Sequence, residues 1–428
     1  MLRKLTLIAG ILLSAPLALL AQQYDVIDQV KADVRKAYGM EGPHRLDEFG
    51  TMSKAPAGYK PFYISHYGRH GSRYAWNYKT YTLIHDVFEK AGEKGLLTPY
   101  GKEFARKYED FYEVPLINAG DLVPIGYDQH LAIGTFTYEQ FPEVFKGRKK
   151  VDALSSTGQR CIVSMGAFTL GLMSGNPKLV MRLQSDHVGM AIIAPPSAPK
   201  ALQRHFKGED DKPAIESSED YARRLACYDE VLDKLFTDTA FLKDFKGGAT
   251  HFIEELWELV SGYHNYESEP LFDDLLSGDQ ILRFWEAANY SSFYGDITAR
   301  YKVIPLLEDI VDKAEASFQD PNQAAHLRFG HDYILEGLVT LLNVNALGTI
   351  PEKAEDAKYW FQNYSIPKAA TLLFVFYKNK KGDILFKLVL NENEAVLPDL
   401  TPVEGVYYRW SDFRAWTDKI RAEHPEIK

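Results

Sequence analysis

Cysteine is nearly absent from the chain: Cys161 and Cys227 are the only two in 428 residues. That excludes a disulfide-stapled scaffold and leaves at most one bridge, whose formation the sequence does not decide. An excess of basic charge is missing too. Forty-nine Lys and Arg against 59 Asp and Glu give a net charge of −10, and loss of Arg3 and Lys4 at the N-terminus takes it to −12. Such a surface repels nucleic acid and anionic lipid on average, so neither is an expected partner, and an anionic ligand needs a local basic pocket. Internal repeats and low-complexity stretches are not seen. A long apolar run is read only at the start, from Leu5 to Leu20, behind Arg3 and Lys4 and before Ala21. Residues 1–21 therefore read as a secretory signal peptide rather than a buried helix or membrane anchor. No cysteine follows the run, which argues against lipid attachment. A periplasmic or secreted protein, free of the membrane once cleaved, is the expectation.

What is present is an ordinary globular composition, 46% hydrophobic and 25% charged, in a chain long enough for two packed lobes. The stretch KPFYISHYGRHG has the β-rich, aromatic character of a strand that ends where Gly68 and Gly71 let the backbone turn. Helical spacing follows in YTLIHDVFEKAGEKG, LLTPYGKEFARKYEDFY and GTFTYEQFPEVFKGRKK, the last with basic residues suited to a helix C-terminus. KVDALSS then reads as a short buried strand, and STGQRCIVSMGAFTLGLM as a helix capped by Ser155, Ser156 or Thr157. From about Lys178 to Gln323 amphipathic helical segments dominate. After them AHLRFGHDYILEGLVTLLNVNALG repeats the order strand, turn, helix, and AATLLFVFYKNKKGDILFKLVLNENE is a hairpin candidate around Lys-Gly-Asp. The pattern predicts an α/β core, residues 22–177 and 324–428, with a helical domain inserted over 178–323.

Ligands of α/β sheets gather beyond the carboxyl ends of strands, and Arg69, His70 and Arg73 lie just past such an end. Two guanidiniums there form a fork-shaped clamp for phosphate or carboxylate. The imidazole between them is a candidate nucleophile, because neighbouring positive charge disfavours imidazolium and preserves a lone pair. His66 either lines the same pocket or fills the buried face of the strand, and the face is the stronger reading.

The run RHGSR, Arg69 to Arg73, resembles the signature of the histidine acid phosphatases, branch 2 of the histidine phosphatase superfamily. FGHD, Phe329 to Asp332, resembles that family's second motif, and SSTGQR places Arg160 where the family carries a third arginine. Gly126, Gln129 and Gly134 resemble a further block, with Val123 where Thr is usual and Ile133 where Leu is. The resemblance implies a Rossmann-like, phosphoglycerate-mutase-type core sheet with an inserted helical domain, and no cofactor or metal. It implies that His70 becomes phosphorylated, that Arg69, Arg73, Arg160 and His331 hold the phosphoryl oxygens, and that Asp332 protonates the leaving alcohol, with Glu336 one helical turn later as the reserve acid. The charge spread over a transferring phosphoryl group and the proton demand of an alkoxide agree with these roles. Arg160 could instead pair with a neighbouring acid; His331 and Asp332 could be a turn histidine and an N-cap, a role compatible with catalysis.

The C-terminal LVLNENEAVLPD and the position of the insertion look most like the multiple inositol polyphosphate phosphatases, which act on phytate and related compounds. That group usually has His-Ala-Glu where His331-Asp332-Tyr333 stands, the form of acid phosphatases and other phytases, so a small phosphomonoester is the expected substrate and inositol polyphosphate its leading candidate. A broad-specificity acid phosphatase is the alternative. Further cations for a multiply phosphorylated ligand could be Lys200, Arg204, Lys207, Arg223 and Arg224, although the acids Glu209, Asp210 and Asp211 favour a solvated mixed-charge face for the first three. A metal-dependent phosphatase has only Asp128-x-His130 to offer, without a dense His/Asp cluster. A non-catalytic phosphate-capture module would need neither a nucleophile nor an acid.

Overall fold

The computed structural model describes residues 26–195, 216–266 and 271–427. The expected export segment, residues 1–21, and the candidate cations Lys200, Arg204 and Lys207 lie outside the described residues. Strand β1 (Lys60–Arg69) is followed by helices α1 (Tyr78–Glu93), α2 (Pro99–Phe111), α3 (Glu113–Ile117) and α4 (Pro124–Gln140). Then come β2 (Lys150–Ser155), α5 (Gln159–Gly175) and β3 (Val180–Ser185). Helices α6 (Ser218–Leu225), α7 (Tyr228–Leu235), α8 (Gly248–Gly262), α9 (Gly278–Ala299) and α10 (Ile304–Gln319) precede β4 (Gln323–Gly330) and α11 (Asp332–Leu341). The chain closes with β5 (Thr371–Lys378), β6 (Ile384–Leu390), β7 (Asn393–Ala395), β8 (Tyr408–Arg409) and α12 (Trp410–Glu423).

One eight-stranded sheet runs in the order β3-β2-β4-β1-β5-β6-β7, with β8 on β6. Strands β3, β2, β4 and β1 are parallel, whereas β5 and β6 are antiparallel, the hairpin expected around Lys381-Gly382-Asp383. Alternate residues of each strand serve opposite cores. Tyr63, Tyr67, Leu372 and Phe374 face Leu306, Ile310, Leu335 and Phe413 of α10, α11 and α12. Ile64, Leu327, Leu373 and Val375 face Ile133, Met165 and Phe168 of α4 and α5. This is the Rossmann-like core expected, with helices on both faces.

Three expectations need correction. The segment read as an insertion from residue 178 first contributes β3 to the sheet edge. Its burial is partial, so polar side chains alternate through it and mask the strand. The helical lobe also starts earlier than Lys178, because Tyr81, Ile84, Phe104 and Tyr108 of α1 and α2 share one core with Leu232, Phe252, Leu256 and Trp285. In GTFTYEQFPEVFKGRKK the helix is α4, which begins at Pro124 and ends at Gln140; Pro142 follows, and the basic residues lie beyond it. Cys161 and Cys227 are both buried free thiols. Among the described residues no helix is long and apolar enough to cross a membrane.

Candidate active site

Register brings the two motifs together. Strands β1 and β4 pair so that Arg69 lies opposite Gly330, and the His70 amide donates to the Gly330 carbonyl at 3.0 Å. His70 and His331 therefore leave neighbouring strand ends, with ring centroids 5.8 Å apart in an edge-on arrangement. β2 lies on the far side of β4, and Ser156 just past its end meets His331 Nε2 at 2.9 Å. Sequence reading offered Ser155, Ser156 or Thr157 as the cap of α5. The N-cap is Gly158, without a side-chain bond of its own, and Ser156 Oγ accepts from the Gly158 amide at 3.4 Å while it holds the histidine.

The loop after β1 has no room to be anything else. A Cβ on Gly71 would lie 2.3 Å from the Gly126 carbonyl oxygen, so the third position of RHGSR must be glycine. The Gly71 amide donates to Ser164 Oγ at 3.0 Å, and the Ser72 amide to Gln129 Oε1 at 2.9 Å. Gly126 and Gln129, noted from sequence as a separate block, thus form the seat of the loop after β1. His130, one of the two residues of the rival metal pattern, is buried and bonded through Nε2 to the Arg69 carbonyl at 2.9 Å. His66 is fully buried against Phe168 and Phe329, on the strand face as expected.

His70 is 1% exposed. Its Nδ1 lies 2.9 Å from the Gly71 carbonyl, which can only accept; Nδ1 therefore carries the proton, and Nε2 keeps the lone pair. Burial, then Arg69, Arg73, Arg160 and Lys368, push its pKa well below the ordinary value. Arg69 is fully buried; its Nη1 donates to the carbonyls of Met40 and Ile366, and its Nη2 meets Asp332 Oδ2 at 2.6 Å. Arg73 donates to the Tyr74 carbonyl at 2.7 Å, and Arg160 to the Gly120 carbonyl at 3.2 Å. The Nε groups of Arg69, Arg73 and Arg160 are buried without a protein acceptor. Three guanidiniums that keep spare donors around one neutral imidazole suit a tetrahedral oxyanion.

Asp332 opens α11 with His331 as its N-cap, so the expected capping role falls to the histidine position and Asp332 supplies first-turn negative charge. Burial opposes its ionisation, but Arg69, Lys368 and Arg73 outweigh burial and hold its pKa far below the usual carboxylate range. His331 is lowered to about 4 by burial and then by Arg160. Glu336 is buried one turn along α11, whereas Asp332 and His331 line a cavity of about 450 Å³ together with Arg73 and Arg160. Arg223 and Arg224, offered from sequence as extra cations, are exposed on α6 and pair with Asp220 and with Glu216 just before the helix.

Sequence reading missed three groups. Glu41 ends a 3-10 segment, Val34–Glu41, and its Oε2 meets Lys368 Nζ at 2.7 Å. Lys368 is fully buried in the loop before β5 and is driven down to about 7 by burial, Arg69 and Arg73. Glu258 of α8 lines the cavity beside Glu41 and is raised to about 7 by burial and by Glu41. None of the three belongs to a motif, and the chain distances between them give no local signal.

The model of the Histidine phosphatase superfamily (branch 2) matches residues 68–391. No curated protein sequence matches the chain. Among solved structures, Bifidobacterium longum multiple inositol polyphosphate phosphatase in complex with inositol hexasulfate superposes with a TM-score of 0.70 at 18% identity, over 89% of this chain and 97% of that one. The phytase from D. castellii gives 0.66 at 15%, over 91% and 86%. Hafnia alvei phytase in complex with myo-inositol hexakis sulphate gives 0.57 at 16%, over 85% and 98%. These likenesses establish the shared fold, and the family match spans both motifs and the arginine between them. With RHGSR, Arg160 and His331-Asp332 converging on one cavity, the chain belongs to branch 2 of the histidine phosphatase superfamily.

Proposed function

We propose that the protein hydrolyses phosphomonoesters through a phosphohistidine at His70, with inositol polyphosphates of the phytate type as substrates. The observation that carries this reading is the Gly71 carbonyl on His70 Nδ1, which leaves Nε2 as an unprotonated nucleophile inside three guanidiniums. Arg69, Arg73, Arg160 and His331 seat the phosphoryl oxygens. Nε2 attacks phosphorus, the N–P bond forms, the ester P–O bond breaks, and Asp332 gives its proton to the departing oxygen. Water then attacks phosphorus and gives a proton to Asp332, the N–P bond breaks and returns its electron pair to Nε2, and inorganic phosphate leaves.

Asp332 is ionised in the free protein and must gain a proton before the first step. The arriving phosphoryl group supplies that change by occupying Arg69 and placing negative charge beside the carboxylate, both of which raise its proton affinity. The kinship of solved inositol polyphosphate phosphatases and phytases in fold, together with a cavity wide enough for more than one phosphoryl group, supports the substrate class. Export is part of the reading, supported by the basic and apolar N-terminus.

The test incubates wild type and His70→Ala with phytate, with a sugar phosphate and with an aryl phosphate, and resolves products over time. Wild type is expected to release phosphate from phytate in steps, and His70→Ala to lose at least about 10³-fold in kcat, as removal of a covalent nucleophile does. Wild-type turnover of the simple esters alone would replace phytate by the broad acid phosphatase reading. Undiminished turnover by His70→Ala would end the phosphohistidine proposal.

A further inference from the structure

The carboxylate of Glu41 stands among the cations that should hold an anion. It is fixed there: its carbonyl accepts from Asn265 Nδ2 at 2.5 Å, and its Oε2 takes Lys368 Nζ at 2.7 Å. Lys368 is fully buried, so swinging Glu41 outward would leave a buried ammonium without its counter-charge. Glu41 Oε2 lies 3.8 Å from Arg73 Nη2, and Oε1 lies 3.9 Å from Arg69 Nη2. Those spans are too long for direct hydrogen bonds. An oxygen about 2.8 Å from both ends of such a span fits between them, touching guanidinium and carboxylate together.

We propose that Glu41 is a specificity-determining residue: its carboxylate accepts a hydrogen bond from the protonated oxygen of a phosphomonoester monoanion held by Arg69 and Arg73, and disfavours sulfate esters, which have no proton to give. Two bare oxyanions at that separation repel, whereas a P–OH makes a charge-assisted bond. A phosphomonoester loses its last proton near a pKa of about 6, so the donor is present in acid and fades above neutrality. The groups facing Glu41 are Lys368 from the loop before β5, Arg69 from the end of β1, Arg73 from the loop after it, and Glu258 from α8; Asp332 shares Arg69. Burial opposes its charge, but Lys368, Arg73 and Arg69 prevail and hold Glu41 at about 2, so it remains an acceptor through the working range. Glu258, raised to about 7, keeps its own proton in acid and adds no second charge there.

The inference rests on the phosphate-site reading, and its test needs no turnover. Binding of inorganic phosphate and of sulfate at pH 5 is measured by calorimetry on wild type, Glu41→Gln and Glu41→Asp. Wild type is expected to favour phosphate by about 30-fold, and Glu41→Gln, whose amide can donate to either ion, to reduce the ratio below about threefold, chiefly by gaining sulfate. Glu41→Asp keeps an acceptor and retains a preference for phosphate. A ratio of two affinities on one preparation does not depend on the folded fraction, and if Glu41→Gln fails to fold the wild-type ratio decides. Equal wild-type affinities, or an unchanged ratio in Glu41→Gln, overturn the role of Glu41 and leave the phosphate site standing. Absence of phosphate binding to wild type overturns the site reading and this inference with it.

Discussion

Gly71 lends its carbonyl to His70 Nδ1, and a neutral imidazole can then hold its lone pair only on Nε2. Burial and four cations keep the ring neutral in acid. A solvent-exposed histidine would be almost wholly protonated at pH 5, given an ordinary pKa of about 6.5. The sign for His70 is the reverse: its lowered pKa places protonation at a lower pH, so kcat/KM for an aryl phosphate is expected to show no loss between pH 7 and pH 5. A pH profile that falls steadily below pH 6.5 would show a free imidazole instead. In the proposed mechanism Asp332 acts on the leaving group, so its removal should discriminate between esters. Asp332→Asn is expected to lower kcat by about 10²–10³ for alkyl phosphates and by less than about tenfold for a nitrophenyl phosphate, whose leaving oxygen needs little help. Steady-state rates on the two ester types check this, and equal losses would assign Asp332 a purely structural part.

Among the elements, β1 and β4 do most to make the site, because parallel pairing in the register Arg69 to Gly330 sets both motif histidines at one edge. β1 was legible from its aromatic-rich run, β2 and β4 from short runs that stop at a turn before a helix, and α11 from its spacing after Asp332. β3 was not, because an edge strand without a buried residue carries Arg182 and Gln184 where a buried strand carries Val or Ile. α4 was misplaced at both ends: Pro124 begins it, as proline suits a first turn, and the periodic aromatic residues past Gln140 had suggested continuation. α4 crosses α5 where Gly134 meets the Phe168 carbonyl oxygen; a Cβ there would sit 2.1 Å from that oxygen, and a Cβ on Gly171 would sit 2.4 Å from the Leu131 carbonyl oxygen. Gly134→Ala must push the helices apart and is expected to cost about 2–4 kcal/mol, read as a lower denaturant midpoint. Unchanged stability would mean that the crossing is looser than these distances imply.

Across the whole molecule the site lies where the sheet ends and the helical lobe begins. Asn265 of the lobe holds the Glu41 carbonyl, Trp285 Nε1 donates to Asn363 Oδ1 at 3.2 Å, and Asn289 Nδ2 to the Phe361 carbonyl at 2.9 Å. Short-range pattern could point to Arg69, His70, Arg73, Arg160, His331 and Asp332, because each sits in a run with its own turn or strand signal. Glu41, Lys368 and Glu258 come from a 3-10 turn, a loop and a lobe helix, and only the folded chain assembles them. Glu258 ties stability to pH. Its raised pKa means that the folded state binds a proton more tightly than the unfolded one, so its contribution is full below about pH 4.5 and is lost as pH rises through about 7. Glu258→Gln is therefore expected to raise Tm by about 2–4 °C at pH 8 and to leave it unchanged near pH 4.5. The same Tm difference at both pH values would detach the effect from this proton.

The nucleophilic role of His70 is tested most directly by trapping it. Wild type mixed with a phosphomonoester labelled in its phosphoryl group and quenched in base within milliseconds should carry base-stable, acid-labile label on the peptide containing Arg69, His70 and Gly71, and His70→Ala should carry none. Label on another residue, or turnover without labelled protein at any quench time, would contradict the account.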